Sequence, residues 1–216
     1  MSALAVSRQP AATPTVFIVD DDEGARNSLR FLLKSVGLAA VAFASAREFL
    51  AAYEPYQPGC LVLDVRMPGM SGLELQHELN RLGAVIPVVF VTGHGDVPMA
   101  VEAIQQGAFD FVQKPYREQE LLDRIQRALA KDKSSREALQ ERDRIRARLA
   151  SLTPREHQVM QLMTSGKPNK VMAAELGLSQ RTVEIHRAHV MEKSGATSIA
   201  QLVRMALDSE AEPQGG

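Results

Sequence analysis

The stretch Cys60-Leu61-Val62-Leu63-Asp64-Val65-Arg66-Met67-Pro68-Gly69-Met70-Ser71-Gly72 runs from four apolar residues into a carboxylate and then into a loop rich in Pro, Gly and Ser. A short continuous apolar run bounded by turn residues reads as a strand buried on both faces, as strands of parallel sheets are. Asp64 then stands at the strand's carboxyl end, where open parallel sheets place their ligand sites. Two other stretches have the same form. Val16-Phe17-Ile18-Val19 runs into Asp20-Asp21-Asp22, and Phe111-Val112 is followed by Lys114-Pro115. The charged residues after these strands are expected to converge on one site.

The text around these stretches alternates short apolar strands with amphipathic helices. Strands are predicted at 16–19, 41–43, 60–63, 88–91 and 109–112. Ala25, Leu29, Leu32, Leu33 and Val36 fall on one helical face that Gly37 closes, and helices fit at 72–83, 97–106 and 117–130. Ser45-Ala46-Arg47-Glu48 has the form of a capping box. Five strand-helix pairs over residues 15–130 imply an α/β doubly wound, five-stranded parallel sheet with helices on both faces. Residues 131–151 turn charged and helix-favouring, with Leu139, Ile145 and Leu149 as sparse apolar anchors, and read as a helical linker. Thr153-Pro154-Arg155-Glu156 then signals a helix start. Helices at about 154–165, 169–176, 179–193 and 198–208 make an all-α, four-helix domain over 152–208, with Gly177-Leu178 as a helix-turn-helix turn. Residues 1–14 and 209–216 read as disordered tails.

Composition bounds the function. With 45% apolar residues the chain reads as globular, and it lacks both a run of about 20 apolar residues and an amino-terminal leader pattern, so a cytoplasmic location without membrane contact is expected. The single cysteine, Cys60, lies in a strand pattern and reads as reduced packing. Residues 1–130 carry 11 Lys and Arg against 15 Asp and Glu, whereas 131–208 carry 14 against 9, a basic carboxyl-terminal region suited to phosphate contact.

Clustered carboxylates repel one another and are kept together mainly where a cation neutralises them. An oxygen-only set of Asp20, Asp21 and Asp64 favours Mg²⁺, with Mn²⁺ as an alternative. An aspartate can attack phosphorus to give an aspartyl-phosphate, with Lys114 and the metal neutralising the oxygens of the transferring group. A phosphatase reading lacks its general acid, because Arg66 stands two residues after Asp64.

On these residues, 16–130 resemble the receiver domain of bacterial two-component response regulators. The resemblance makes Asp20 and Asp21 the acidic pair, Asp64 the phospho-acceptor, Thr92 the switch hydroxyl, Phe111 the switch aromatic and Lys114 the site lysine. It also implies that the backbone carbonyl of Arg66 contacts the metal, and that Arg66 and His94 tune the lifetime of the phosphoryl group. Residues 152–208 resemble the LuxR/FixJ-type helix-turn-helix domain through Leu152-Thr153-Pro154-Arg155-Glu156, Asn169-Lys170 and the run Leu178-Ser179-Gln180-Arg181-Thr182-Val183-Glu184-Ile185-His186-Arg187. Pro168 stands where relatives typically carry a small or polar residue.

The two resemblances together imply a FixJ-type response regulator of the LuxR/NarL superfamily. Its expected partners are a sensor histidine kinase, promoter DNA, RNA polymerase and, once phosphorylated, a second copy of itself; release of an inhibited DNA-binding domain is the alternative route to activation. By the same resemblance the reading helix enters the major groove, with Glu184, Ile185 and Arg187 toward bases and Lys170, Thr182 and His186 toward phosphates. Activation of transcription is the expected output. A signalling adaptor whose carboxyl-terminal helices bind protein is the competing reading. No residue names the signal, the kinase or the operator.

Overall fold

The computed structural model describes residues 13–55, 57–93 and 97–210. His94 and most of both expected tails lie outside them. The chain divides into two compact units at Arg136 and Glu137.

The first unit is a five-stranded parallel sheet in the order β2-β1-β3-β4-β5, with β1 Thr15–Val19, β2 Ala39–Phe43, β3 Gly59–Asp64, β4 Val88–Thr92 and β5 Asp110–Gln113. Its helices are α1 Glu23–Ser35, α2 Ala46–Ala52, α3 Gly72–Arg81, α4 Val97–Gln105 and the first part of α5 Glu118–Ala150. Successive strand side chains point to opposite faces, and the sequence uses both. Phe17, Leu61, Leu63 and Phe90 pack with Phe49 of α2, Leu75 and Leu79 of α3 and Ala103 of α4. Val16, Ile18, Cys60, Val62 and Val89 pack with Leu29 and Leu33 of α1 and Leu121 and Ile125 of α5. This two-sided burial explains why β1 and β3 read as unbroken apolar runs, while the edge strand β2 is only partly covered. Each fully buried Leu or Val contributes about 1.5–3 kcal/mol relative to exposure.

The sequence reading separated a helix at 117–130 from a linker at 131–151; the structure has one helix, α5, running to Ala150. Its middle is tied down by a buried ion pair. Asp132, 2% exposed, accepts from the backbone N–H of Gly59 at 2.9 Å and from Nε of Arg136 at 2.8 Å. Arg136 also donates to the carbonyl of Gln57 at 2.8 Å. The end of the helix serves the second unit, where Ile145 and Leu149 pack on that unit's core.

The second unit adds α6 Pro154–Thr164, α7 Asn169–Leu176, α8 Gln180–Ser194 and α9 Ile199–Glu210. Thr153 and Glu156 form the capping box expected at the start of α6. Gly177 closes α7 at φ +65°, a left-handed conformation that glycine adopts without a Cβ penalty. Its N–H and that of Leu178 take up the last carbonyls of α7, and the chain re-enters α8 through Ser179, whose hydroxyl accepts from the N–H of Thr182 at 3.1 Å. Val159, Met163, Met172, Val183, Val190 and Leu202 form the core.

Candidate functional site

The strand order brings four carboxyl ends side by side. Asp20 follows β1, Asp64 is the last residue of β3, Thr92 is the last of β4, and Lys114 follows β5. Asp20, Asp64 and Thr92 are 7%, 9% and 3% exposed. Lys114 Nζ reaches between the two carboxylates, donating to Asp20 Oδ2 at 2.8 Å and to Asp64 Oδ1 at 3.0 Å. Each carboxylate keeps its other oxygen on a backbone amide: Asp20 Oδ1 accepts from the N–H of Asp22 at 2.9 Å, and Asp64 Oδ2 from the N–H of Arg66 at 2.8 Å. Lys114 itself is placed by its own N–H, which donates to the carbonyl of Thr92 at 2.7 Å.

Close packing under the site requires Gly72. A Cβ there would lie 2.3 Å from the carbonyl oxygen of Asp64, so only glycine lets α3 begin directly beneath the acid. The acidic triplet divides its work in a way the sequence did not reveal. Asp20 enters the site, Asp21 is exposed, and Asp22 caps α1 by accepting from the N–H of Ala25 at 2.7 Å. Arg26, also missed, secures the same loop by donating to the carbonyl of Asp20 at 2.7 Å.

Burial pushes the Asp64 carboxyl above its ordinary range, against the opposing bonds from Lys114 and the Arg66 amide; the neighbouring Asp20 charge pushes the same way. Burial also opposes the charge on Lys114, but bonds to Asp20 and Asp64 outweigh it and hold the ammonium above its ordinary value. The result is a buried nucleophile whose charge Lys114 and the Arg66 amide support against burial and Asp20.

Among the described residues, no three His, Cys, Asp or Glu side chains are arranged to hold a metal ion. Asp20 and Asp64 converge, while Asp21 faces solvent. Two convergent carboxylates fit Mg²⁺, which binds through one or two of them and retains several waters. Thr92 carries no side-chain hydrogen bond among the described residues, and Phe111 is half-buried against the core cluster containing Phe90 and Ala103. Arg66 is exposed. His94 lies outside the described residues.

In the second unit, α8 presents two different faces. Val183 and Val190 are fully buried, and the neighbouring turns put His186 and Arg187 half-buried on that side; Glu184 and Ile185 are exposed together with Arg181 and Ala188. Ile185, 49% exposed, is not part of the core. Four expected contact residues thus fall on two faces, and Arg181 and Ala188 share the exposed face without having been singled out. The seven-residue spacing of Val183 and Val190 was the signal that could have found them. Lys170 is exposed near the start of α7, and the Thr182 hydroxyl lies 2.8 Å from that of Ser179.

A carboxylate the sequence reading treated only as a cap holds this unit together. Glu156, 3% exposed, accepts from the N–H of Thr153 at 2.8 Å and from Lys193 Nζ at 2.7 Å, with His189 Nδ1 at 3.5 Å. The bond from Lys193, with the Thr153 amide next, lowers its pKa to about 2. Arg155 donates to the last carbonyl of α7, that of Leu176, at 2.8 Å.

Comparison with known proteins matches both units. A model of the response regulator receiver domain covers residues 16–126, and one of bacterial regulatory proteins of the luxR family covers residues 150–206. Nodulation protein W of Bradyrhizobium diazoefficiens is 51% identical over 191 residues, 88% of this chain and 84% of that protein. The transcriptional regulatory protein FixJ of Azorhizobium caulinodans is 46% identical over 92% of this chain and 93% of its own length. The solved structure of the response regulator StyR superposes with a TM-score of 0.84 at 47% identity, covering 91% of this chain and 99% of that one.

Proposed function

The chain belongs to the two-component response regulators that join a receiver domain to a LuxR-family DNA-binding domain, and from that membership we propose that phosphorylation of Asp64 by a sensor histidine kinase controls its binding to promoter DNA. The observation that carries this reading is Lys114 Nζ held between Asp20 and Asp64 at 2.8 and 3.0 Å. In the transfer, an Asp64 oxygen forms the new bond to phosphorus as the phosphorus–nitrogen bond of the kinase's phosphohistidine breaks, and the departing imidazole takes a proton from solvent. Lys114 moves from the carboxylate to the phosphoryl oxygens, whose charge it then meets. The Arg66 amide holds the second carboxylate oxygen in place meanwhile.

Asp20 and Asp64, which converge, would hold Mg²⁺, or Mn²⁺ in its place, with the Arg66 carbonyl, and Asp21 would join them only by turning in from solvent. When bound, the metal supplies positive charge against the phosphoryl oxygens. The unbonded Thr92 hydroxyl then turns to the phosphoryl group, and Phe111 follows into the space released. Arg66 and His94 set how long the group survives by controlling water and charge at the mouth of the site. The altered surface brings two copies together, which pairs two reading helices on a two-fold DNA site. Glu184, Ile185 and Arg187 read bases, and Lys170, Thr182 and His186 fix register on phosphates. The dimer recruits RNA polymerase and activates transcription in the cytoplasm. Among the described residues, no helix is long and apolar enough to cross a membrane.

The test is binding to DNA duplexes selected from a random pool, for wild type and Asp64→Ala, each with and without acetyl phosphate and Mg²⁺. The donor is expected to tighten wild-type binding and leave Asp64→Ala unchanged. If both bind DNA and neither responds, Asp64 does not control the output. Size-exclusion chromatography of the same samples separates dimerisation from release: a monomer with gained DNA affinity means release.

A further inference from the structure

We infer that Asn169, at the start of α7, is a specificity-determining residue that positions the Glu184 carboxylate for reading a base. The inference rests on the base-facing role proposed for Glu184. Asn169 Nδ2 donates to Glu184 Oε1 at 3.4 Å across the helix-turn-helix, and no other hydrogen bond or ion pair to Glu184 exists among the described residues.

The core fixes the backbone at both ends of this contact. Asn169 lies three and four residues before Met172 and Ala173, which are 0% and 7% exposed, so it shares the face of α7 that packs inward and is itself half-buried. Glu184 follows fully buried Val183. The Gly177 turn and the Ser179 cap set how α8 leaves α7.

The chemistry of the partner matters as much as its position. Arg187, three residues along α8, is within helical reach of Glu184 but leans to the core side, and the carboxylate bonds instead to a neutral amide. An ion pair would quench the charge, whereas the amide restrains the side chain and leaves its negative charge and second oxygen available. A carboxylate held this way accepts from an exocyclic amine, as on cytosine N4, and repels the acceptor edges of guanine and thymine. Without Asn169 the exposed Glu184 side chain turns freely among rotamers, and the discrimination falls although no base contact has been deleted.

The experiment is selection of bound duplexes from a randomised pool by the full chain, with acetyl phosphate and Mg²⁺ present, for wild type, Asn169→Ala, Glu184→Ala and the double variant. Thermal melting confirms that each is folded. Glu184→Ala should lower the preference at one base-pair position of each half-site by about tenfold. Asn169→Ala should lower preference at that same position by about threefold, leave other positions unchanged, and add nothing in the Glu184→Ala background. Asn169→Ser, a shorter side chain with a hydroxyl donor, should restore part of the preference. If Glu184→Ala alters no position, the base-reading role itself fails. If Glu184→Ala alters one and Asn169→Ala does not, the inference about Asn169 fails while that role stands. A uniform loss of affinity across all sequences for Asn169→Ala would mean a phosphate contact and would overturn the inference.

Discussion

Asp64 and Glu156 are both buried carboxylates bonded to a lysine and to a backbone amide, and the protein shifts them in opposite directions. Asp64 is 9% exposed and its carboxyl is raised, whereas Glu156 is 3% exposed and lowered to about 2. Burial is the largest influence on Asp64 and raises it, whereas at Glu156 the bonds from Lys193 and the Thr153 amide come first and lower it. Glu156 sits at a helix start, where the capping box supplies the Thr153 amide and hydroxyl, and Lys193 approaches one oxygen at 2.7 Å. Asp64 shares its lysine with Asp20, and the second carboxylate adds repulsion. One acid is settled and structural. The other is held at a cost in stability, as a group that must react is.

Removing the shared lysine should give the largest effect. Lys114→Ala leaves Asp20 and Asp64 facing each other without their cation, and phosphorylation of Asp64 by acetyl phosphate is expected to slow by about 100-fold, read by intact-protein mass spectrometry. An unchanged rate would mean that Lys114 does not meet the phosphoryl charge.

Glu156→Gln tests the other half of the contrast. The folded value of about 2 lies below the ordinary 4.5, so ionised Glu156 stabilises the second unit above pH 4.5 and that contribution is lost as pH falls toward 2. The variant should be less stable at neutral pH and lose less stability over that acid window, followed by hydrogen exchange in residues 152–208. Thr153→Ala removes the hydroxyl of the same capping box, together with a methyl group, and should cost about 1 kcal/mol in denaturant melts.

The smallest effect has the opposite sign. The raised pKa of Asp64 means its stabilising contribution is full below 3.8 and is lost as pH rises through the folded value. Asp64→Asn should therefore raise the melting temperature slightly at neutral pH, with Lys114 still paired to Asp20. A fall instead would show that the Lys114 bond outweighs burial and would erase the contrast with Glu156.

Much of this was legible in the chain. The unbroken apolar runs at 16–19 and 60–63 predicted a sheet covered on both faces, and Asp20, Asp64 and Lys114 predicted the convergence because each directly ends or follows a strand. What stayed hidden depended on contacts between distant residues. Asp132 and Arg136, four apart on a charged helix, look like an ordinary surface pair until Gly59, 73 residues away, meets the carboxylate. Glu156 carries the pattern of a cap, and nothing local shows that Lys193 will bury it. The inward lean of His186 and Arg187, by contrast, was within reach, because Val183 and Val190, seven apart, already read as the core side of α8.

The Asp132 clamp also sets where this regulator can be cut and recombined. The receiver match ends at residue 126, yet the first compact unit reaches Arg136. A fragment or chimera joined at the matched boundary would strip the amide of Gly59 and the carbonyl of Gln57 of their partners at the amino end of a central strand. Joined after Arg136, the same fragment keeps its own fastening.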